Sequence, residues 1–321
     1  MKAITLKEFG SVDNLIIQDI PTPTIKEDEV LVKVKAISIN PVDVKVRAGG
    51  AKIAGPLLDS LKNENPIILG WDISGEVVET GKAVNDFKVG DEVFGMVNFI
   101  GHGKAYAEYV AVPVSQLALK PQNISHEEAA GATLAALTAW QAFTKDGHLK
   151  AGDRVLIHAA SGGVGHYAVQ IAKYLGAYVI GTSSAPNKEF VMSLGADEHI
   201  DYRSQDFEKT VSDIDFVLET IGGKNLEKSL EVVKQSGTVI IINLPSGFSE
   251  ELTNTINEKG IKFCYYMTVE SNGEDVKQIA DLLEKGILKS HISKTFLFDQ
   301  MAEAHLQIES GRTVGKIVVT L

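Results

Sequence analysis

Short runs of alternating apolar and polar residues dominate the first third of the chain. Such runs are typical of strands that turn one face to a core and the other to solvent. Turn residues separate them, for example Pro21-Thr22-Pro23 and Val89-Gly90-Asp91. Regularly spaced strands with few helices predict a barrel-like β domain over residues 1–123. The predicted strands are Lys2–Phe9, Leu15–Asp19, Glu29–Ile39, Ile73–Glu79, Glu92–Val97 and Ala105–Val112.

The pattern changes at Arg154, where an apolar run ends in glycines and a helical spacing follows. From Val164 to Leu175 the apolar residues recur three or four positions apart, which predicts an amphipathic helix that ends at Gly176. With the next strand this makes a βαβ unit. Six such strands predict a doubly wound parallel sheet over residues 124–268. They are Arg154–Ile157, Tyr178–Thr182, Glu198–Ile200, Asp215–Glu219, Thr238–Asn243 and Ile261–Met267.

The remaining segments complete the predicted two-domain organisation. Ser125 and Glu128 have the spacing of a capping box before a helix over 129–143. The tail strand Lys316–Thr320 is assigned to the first domain, so residues 269–321 are predicted to complete it. The Gly- and Pro-rich segment 47–66 is either a binding loop or a surface excursion. Further helices are predicted at Asn225–Lys234, Ser249–Glu258 and Gly273–Gly286.

Composition narrows the class of protein. With 321 residues, 44 % hydrophobic and 23 % charged, the chain is typical of a globular protein of two domains. Its net charge of −11 argues against a nucleic-acid or anionic-membrane surface. It contains no apolar run of about 20 residues and does not begin with a signal-peptide pattern, so we expect a cytoplasmic location. The single cysteine, Cys264, excludes an internal disulfide and a thiolate zinc cluster.

The glycine turn is the first candidate for chemistry. Its spacing, Ala159-x-x-Gly162-x-x-Gly165, departs from the usual dinucleotide fingerprint. A strand, a glycine turn and a helix nevertheless direct free N–H groups and the positive end of the helix dipole at a phosphate. The alternative is a structural turn with no ligand. Because the turn lies within a βαβ unit, we predict a nucleotide site.

The end of the second strand indicates which nucleotide binds. An NAD site has Asp or Glu there to hold the ribose 2′-hydroxyl, but this strand ends in Thr182, Ser183 and Ser184. Hydroxyls and a nearby cation such as Lys188 would instead hold a 2′-phosphate. Taken alone, Lys188 is equally consistent with a solvated surface lysine. Together these residues favour NADPH.

Six motifs are distributed along essentially the full length of the chain: Ser38–Asp43, Gly70–Val77, Phe87–Gly95, Ala105–Tyr109, Leu137–Trp140 and Ala159–Gly165. They resemble motifs of the medium-chain dehydrogenase/reductase superfamily. Within it, the chain is most similar to the zinc-independent NADPH:quinone oxidoreductase (zeta-crystallin-like) branch. Zinc-dependent relatives have a catalytic cysteine where this chain has Asn40, and Gly-His-Glu where it has Gly70-Trp71-Asp72, so the resemblance implies no metal.

The resemblance implies an α/β protein with an N-terminal GroES-like β-barrel domain and a doubly wound Rossmann domain. NADPH and substrate would lie in the cleft between them, and hydride would pass to a quinone. Alternatives are an enone, 2-alkenal or enoyl-thioester double-bond reductase, and, outside catalysis, a zeta-crystallin-like NADPH-binding structural protein. No tyrosine lies within residues 44–69, which counts against the enoyl-thioester version. The family also implies a homodimer through the strand Ile261–Met267.

The resemblance further implies roles for individual residues. The Asn40 amide would donate to a substrate carbonyl oxygen that gains charge as hydride arrives; alternatively, Asn40 only caps a turn before Pro41. Asp43 and Trp71 complete the predicted catalytic set, although Asp43 is equally able to fix a loop and Trp71 to fill the core. With Asn40, the predicted cofactor-binding residues are Thr138, Ser161, Gly162, Gly163, Val164, Thr182, Ser183, Lys188, Tyr202, Thr220, Ile221, Asn243, Leu244 and Gly315.

Overall fold

The computed structural model describes residues 1–49, 61, 64–242, 249–264 and 269–321. The chain divides into two compact units, one of residues 1–137 and 269–321 and the other of residues 138–268. We expected the first division at residue 123, but residues 124–137 belong to the first unit. The reason is packing: the helix His126–Gly131 places Ala130 in a buried cluster with Ala36 and Val318.

The first unit is built from two sheets. Strands β1 (Lys2–Leu6), β2 (Leu15–Asp19) and β4 (Ile67–Ile68) form an antiparallel sheet in the order β2-β1-β4. The strands of the larger sheet are β3 (Glu29–Ile39), β5 (Asp72–Thr80), β6 (Glu92–Met96), β7 (Tyr109–Pro113), β8 (Leu117–Leu119), β15 (Ile292–Leu297) and β16 (Lys316–Thr320). Their order is β15-β16-β3-β5-β6-β8, and β7 also pairs with β3. The tail strand β16 pairs antiparallel with β3, within the first unit.

Two helical segments differ from the sequence prediction. The alternative role for Asn40 placed a turn before Pro41, whereas Pro41–Arg47 form a helix, α1, with proline at its first position. The single helix expected over 129–143 is divided into α2 (His126–Gly131) and α3 (Leu134–Gln141), since the chain leaves helical geometry at Ala132. The Thr133 hydroxyl donates to the Ala130 carbonyl at 2.7 Å within this break. The unit's later helices are α9 (Gly273–Glu284) and α10 (Met301–Glu309).

The second unit has the predicted doubly wound parallel sheet. The strands are β9 (Arg154–Ile157), β10 (Tyr178–Ser183), β11 (Glu198–Asp201), β12 (Ile214–Glu219), β13 (Val233–Ile241) and β14 (Lys262–Cys264). Their spatial order is β11-β10-β9-β12-β13-β14. The chain therefore adds strands on one side of β9 and then on the other, and open α/β sheets bind ligands at such a point, at the carboxyl ends of the strands. The helices are α4 (Gly163–Tyr174), α5 (Lys188–Ser193), α6 (Phe207–Thr210), α7 (Lys224–Val232) and α8 (Glu250–Lys259).

Candidate functional site

The glycine turn connects β9 to α4 at the carboxyl end of the parallel sheet. Ala159 has a φ of +48°, so the chain reverses in the left-handed region immediately after the strand. A Cβ on Gly165 would lie closer than 3.0 Å to the Ala159 carbonyl oxygen, so this close approach requires glycine. The first N–H groups of α4, from Gly163 onward, have no acceptor within their own helix. The turn therefore fits a pyrophosphate, and it contains the predicted Ser161, Gly162, Gly163 and Val164.

The carboxyl end of β10 lies beside the neighbouring strand β11. The Ser183 hydroxyl is buried and lies 2.7 Å from Nε2 of His199, a residue that the sequence analysis missed. Burial and the positive charge of Lys188 lower the pKa of His199, whereas Asp201 raises it. Lys188 begins α5, and Tyr202 is exposed with its backbone N–H donating to the Ser183 carbonyl at 3.2 Å. The structure thus places Ser183, Lys188 and Tyr202, three of the predicted cofactor-binding residues, around the end of β10.

Asp201 lies near Ser183, Lys188 and Tyr202, and its carboxylate accepts hydrogen bonds from nearby groups of the chain. It accepts from the Ser204 hydroxyl at 2.6 Å and from the backbone N–H groups of Arg203 and Ala185, each at 3.2 Å. These bonds lower its pKa. Asp201 therefore organises the loop after β11 as an ionised acceptor.

A second buried network, also missed from the sequence, holds the end of β12. The Glu219 carboxylate is buried and accepts from the backbone N–H groups of Ile221 at 2.8 Å and Gly222 at 3.0 Å. The Ser229 hydroxyl donates to Glu219 at 2.9 Å and lies 2.9 Å from Nε2 of His158. Burial lowers the pKa of His158, although the charge of Glu219 acts to raise it, and the net effect favours the neutral imidazole. The network fixes the backbone that carries the predicted residues Thr220 and Ile221.

His158 also joins three of the strands whose ends form this edge. Its Nδ1 lies 3.2 Å from the Thr182 hydroxyl on β10, and its carbonyl accepts from the Thr220 hydroxyl at 2.9 Å. Thr182 and Thr220, two of the three threonines predicted to bind cofactor, therefore already have hydroxyl partners within the fold. Ile221, in contrast, is exposed.

In the first unit, Asn40 lies between β3 and α1 in a buried polar cluster. Its Nδ2 donates to Asp72 at 2.7 Å, and its Oδ1 accepts from the ammonium group of Lys316. A longer contact of 3.5 Å joins Nδ2 to the Ser38 carbonyl. Asp72 also accepts from the Leu134 N–H at 3.0 Å. Lys316, which the sequence analysis missed, thus holds one end of the Asn40 amide and Asp72 the other.

Asp43 lies beneath the same segment and caps α1. Its Oδ2 accepts from the Asn40 backbone N–H at 2.8 Å, and Oδ1 has no hydrogen-bond partner among the described residues. Burial raises the pKa of Asp43 to about 7, although the Asn40 N–H, the nearby Tyr106 hydroxyl and Lys316 all act to lower it. Burial likewise lowers the pKa of Lys316. The Asp43 carboxyl therefore titrates near neutral pH.

Tyr106 and His305 extend the cluster away from Asn40. The Tyr106 hydroxyl lies 2.9 Å from Nε2 of His305, and both side chains are buried. Burial, with a smaller contribution from the Arg47 charge, lowers the pKa of His305 to about 3. His305 is therefore neutral at physiological pH. No local sequence pattern indicated it, because α10 lies about 200 residues from Tyr106 along the chain.

The remaining predicted residues are distributed over both units. Trp71 is buried, donates from Nε1 to the Gly101 carbonyl at 2.8 Å and contacts Phe99 edge-on, so it packs the core, and its role beside a substrate stays a prediction. Gly315 has a φ of +65°, and a Cβ there would clash with the His291 backbone. Thr138 lies in α3 and is buried. Asn243 and Leu244 lie outside the described residues, as does most of the segment 47–66.

The described residues contain no cluster of three or more His, Cys, Asp or Glu side chains able to hold a metal ion. Nor does any described helix have the length and apolar character to cross a membrane.

Comparison with known proteins identifies the family. Residues 26–122 match the model of the alcohol dehydrogenase GroES-like domain, and residues 194–319 match that of the zinc-binding dehydrogenases. The 2-methylene-furan-3-one reductase of Solanum lycopersicum is 37 % identical over 99 % of this chain and 79 % of its own length. The chain belongs to the medium-chain dehydrogenase/reductase superfamily, in its zinc-independent quinone oxidoreductase branch.

Solved structures of medium-chain reductases share this fold over the whole chain. The quinone oxidoreductase of Coxiella burnetii has a TM-score of 0.90 and 35 % identity, and the alignment covers 100 % of this chain and 99 % of that one. The Escherichia coli quinone oxidoreductase complexed with NADPH has a TM-score of 0.87 and 25 % identity, with both chains covered completely. The GroES-like and Rossmann domains expected from the sequence are therefore confirmed.

Proposed function

We propose that this oxidoreductase reduces quinones by hydride transfer. The cofactor is NADPH, which supplies the hydride when bound. The observation that carries the proposal is the end of β10, where Ser183, His199 and Lys188 replace the carboxylate of an NAD site. The oxidoreductases named above, two of them quinone oxidoreductases, support the same reading.

In this proposal the residues of the second unit bind the cofactor and fix its orientation. The N–H groups at the start of α4 would hold the pyrophosphate, and Lys188 with the Ser183 group would hold the 2′-phosphate. The Glu219 and His158 network keeps the neighbouring strand ends rigid by satisfying their backbone and hydroxyl groups. Positioning of this kind is the main help that a hydride transfer needs from the protein.

The role proposed for the first unit is to present the Asn40 amide. One hydrogen of Nδ2 is donated to Asp72, and the other makes only the 3.5 Å contact with Ser38. That second hydrogen is therefore the one we propose for a substrate carbonyl oxygen, where it would stabilise the negative charge that develops. Lys316, bonded to the other end of the amide, polarises it in the same direction.

A second candidate substrate class is the enones and 2-alkenals, in which hydride would reach a carbon–carbon double bond. The relative from Solanum lycopersicum favours it, since its name describes a reductase of a methylene-furanone. The same carbonyl-directed donor would serve both reactions, because both move charge onto an oxygen.

The test is NADPH oxidation by the full chain against matched acceptors. These are a benzoquinone, a naphthoquinone, an aliphatic enone, an enoyl thioester and a simple aldehyde. We expect the highest kcat/KM for a quinone. Preference for the enone would replace the proposal with its second candidate. NADPH binding without turnover of any acceptor would favour the structural role.

Two further proposals concern the oligomeric state of the protein and its location in the cell. We propose a homodimer formed through the predicted strand Ile261–Met267, of which the structure describes positions 261–264, with β14 at the edge of the described sheet. An edge strand presents unpaired backbone groups that a second copy is able to pair. We also propose a cytoplasmic location. Sedimentation of the full chain tests the first, and cell fractionation tests the second.

A further inference from the structure

We propose that His199 is a specificity-determining residue, which takes up a proton when the 2′-phosphate binds and so strengthens the preference for NADPH over NADH as the pH falls. This inference rests on the proposed NADPH function but concerns a residue that neither the sequence motifs nor the glycine turn identifies.

The position of His199 follows from strand pairing. In the parallel pair β10 and β11, Gly181 lies opposite His199. Gly181 and Ser183 are two positions apart on β10 and share one face of the sheet, so the His199 side chain lies on the same face as that of Ser183. Its Nε2 lies 2.7 Å from the Ser183 hydroxyl, which contacts the Ser184 carbonyl at 3.2 Å. The half-buried ring is thus anchored at the strand end where the ribose is expected.

The charges around His199 come from three elements. Lys188 of α5 is close enough to lower its pKa, and Asp201 of β11 is close enough to raise it. Glu198, the preceding residue, is bonded to the Tyr178 hydroxyl at 2.7 Å. Arg203 follows Tyr202 and stacks over its ring, 5.7 Å from the centroid. Without a ligand, burial and Lys188 favour the neutral imidazole.

A bound 2′-phosphate reverses that balance. The phosphate carries about −1.5 to −2 charges at pH 7, so it neutralises Lys188 and favours a cation on the neighbouring imidazole. By linkage, a proton taken up on binding makes NADPH bind more tightly as the pH falls. NADH has a 2′-hydroxyl at this place and takes up no proton there. Below about pH 6 the phosphate is itself protonated, so the gain ends there.

The decisive measurement is the dissociation constant of NADPH and of NADH for the full chain, by titration between about pH 6.5 and about pH 8.5. We expect the ratio of the NADH to the NADPH constant to rise about threefold or more as the pH falls. In His199→Gln, which keeps a polar contact for Ser183 without a titrating group, the ratio stays nearly constant. Calorimetry in buffers of different ionisation enthalpy then detects a proton uptake with NADPH that the variant lacks.

Lys188→Gln is the matched control, because it removes a permanent charge. It weakens NADPH binding at every pH and leaves NADH binding unchanged. Should His199→Gln fold poorly, shown by weakened NADH binding, His199→Asn serves instead. Equal pH slopes in the wild type and the histidine variant overturn the inference while NADPH binding stands. Failure of the wild type to bind NADPH overturns the proposed function itself.

Discussion

Asn40 is held more firmly than a turn-capping residue requires. Its amide lies between a buried carboxylate, Asp72, and a buried ammonium group, Lys316, and its backbone N–H is bonded to Asp43. An amide in this position has a single orientation, because reversing it would set its NH₂ group against Lys316 and its oxygen against Asp72. The two charges therefore specify which way the amide points, at the cost of burying both.

Replacing one member of this pair tests the balance. Lys316→Met leaves Asp72 buried without its cation, and we expect the free energy of unfolding to fall by about 3–5 kcal/mol. The double variant Asp72→Asn with Lys316→Met removes both charges and should recover much of that loss. Urea unfolding measures both. A double variant as unstable as the single one would mean that packing, and not charge, sets the cost.

The Asp43 carboxyl predicts a pH dependence of stability. Its pKa is raised from 3.8 to about 7 in the folded state, so the folded state holds a proton that the unfolded state has lost. Its contribution is therefore complete below about pH 4 and is lost as the pH rises through 7. Relative to Asp43→Asn, the wild type should lose about 2–3 kcal/mol of unfolding free energy between about pH 5 and about pH 8.

The contribution of His305 to the pH dependence of stability has the opposite sign to that of Asp43, so the two contributions must be separated. The pKa of His305 is lowered to about 3, so its contribution is complete above about pH 6.5 and is lost as the pH falls through 3. For this reason the difference between the wild type and the Asp43 variant is the informative quantity, and the wild-type curve alone is not. A difference that is flat with pH would show that Asp43 is ionised in the folded protein.

The strand, turn and helix around Gly165 form the element on which cofactor binding depends. Here the backbone of the helix start passes so close to the Ala159 carbonyl that no side chain fits at Gly165. Gly162, by comparison, has its added Cβ 3.1 Å from the same oxygen, a contact that small adjustments relieve. The two glycines thus differ in how strictly the turn requires them.

That difference predicts unequal effects of alanine. Gly165→Ala forces the turn and α4 apart, so we expect a loss of about 1–3 kcal/mol in unfolding free energy and at least a tenfold weaker binding of NADPH, about 1.4 kcal/mol. Gly162→Ala, the control, should change either quantity much less. Thermal unfolding with and without NADPH measures the two effects together. Equal effects of both substitutions would contradict the geometry of the turn.

At the scale of the whole molecule, a strongly acidic chain must bind an anionic cofactor. The net charge of −11 repels NADPH at long range, so affinity depends on local groups such as the α4 N-terminus and Lys188. A 2′-phosphate adds to this local attraction, whereas a 2′-hydroxyl does not.

We therefore expect NADPH to bind at least tenfold more tightly than NADH, a difference of about 1.4 kcal/mol. Raising the salt concentration should narrow the difference, because exposed charges such as Lys188 are screened. Fluorescence titration of both cofactors gives the ratio of the two dissociation constants. Equal affinities would remove the role of the β10 end.

Because the branch is zinc-independent, we expect treatment with a chelator to leave turnover intact. Loss of turnover on chelation would contradict the metal-free site.

The sequence by itself determined the elements whose signal is local. Alternation located β2 and β3 at their observed bounds, the capping box started α2, and the six strands of the parallel sheet followed from apolar runs between turns. The glycine turn and the missing carboxylate after β10 pointed to NADPH for the same reason, since a turn or a strand end is formed by neighbours in the chain.

Only the tertiary structure decided which distant side chains meet. Lys316 reaches Asn40 across 276 positions of sequence because β16 pairs with β3, and His199 meets Ser183 because β11 lies beside β10. Glu219, Tyr106 and His305 likewise have no periodic signature, because a buried polar group is specified by its partners and not by its spacing. Strand pairing and burial, which depend on contacts over the whole chain, bring these scattered polar residues into separate clusters, one within each unit.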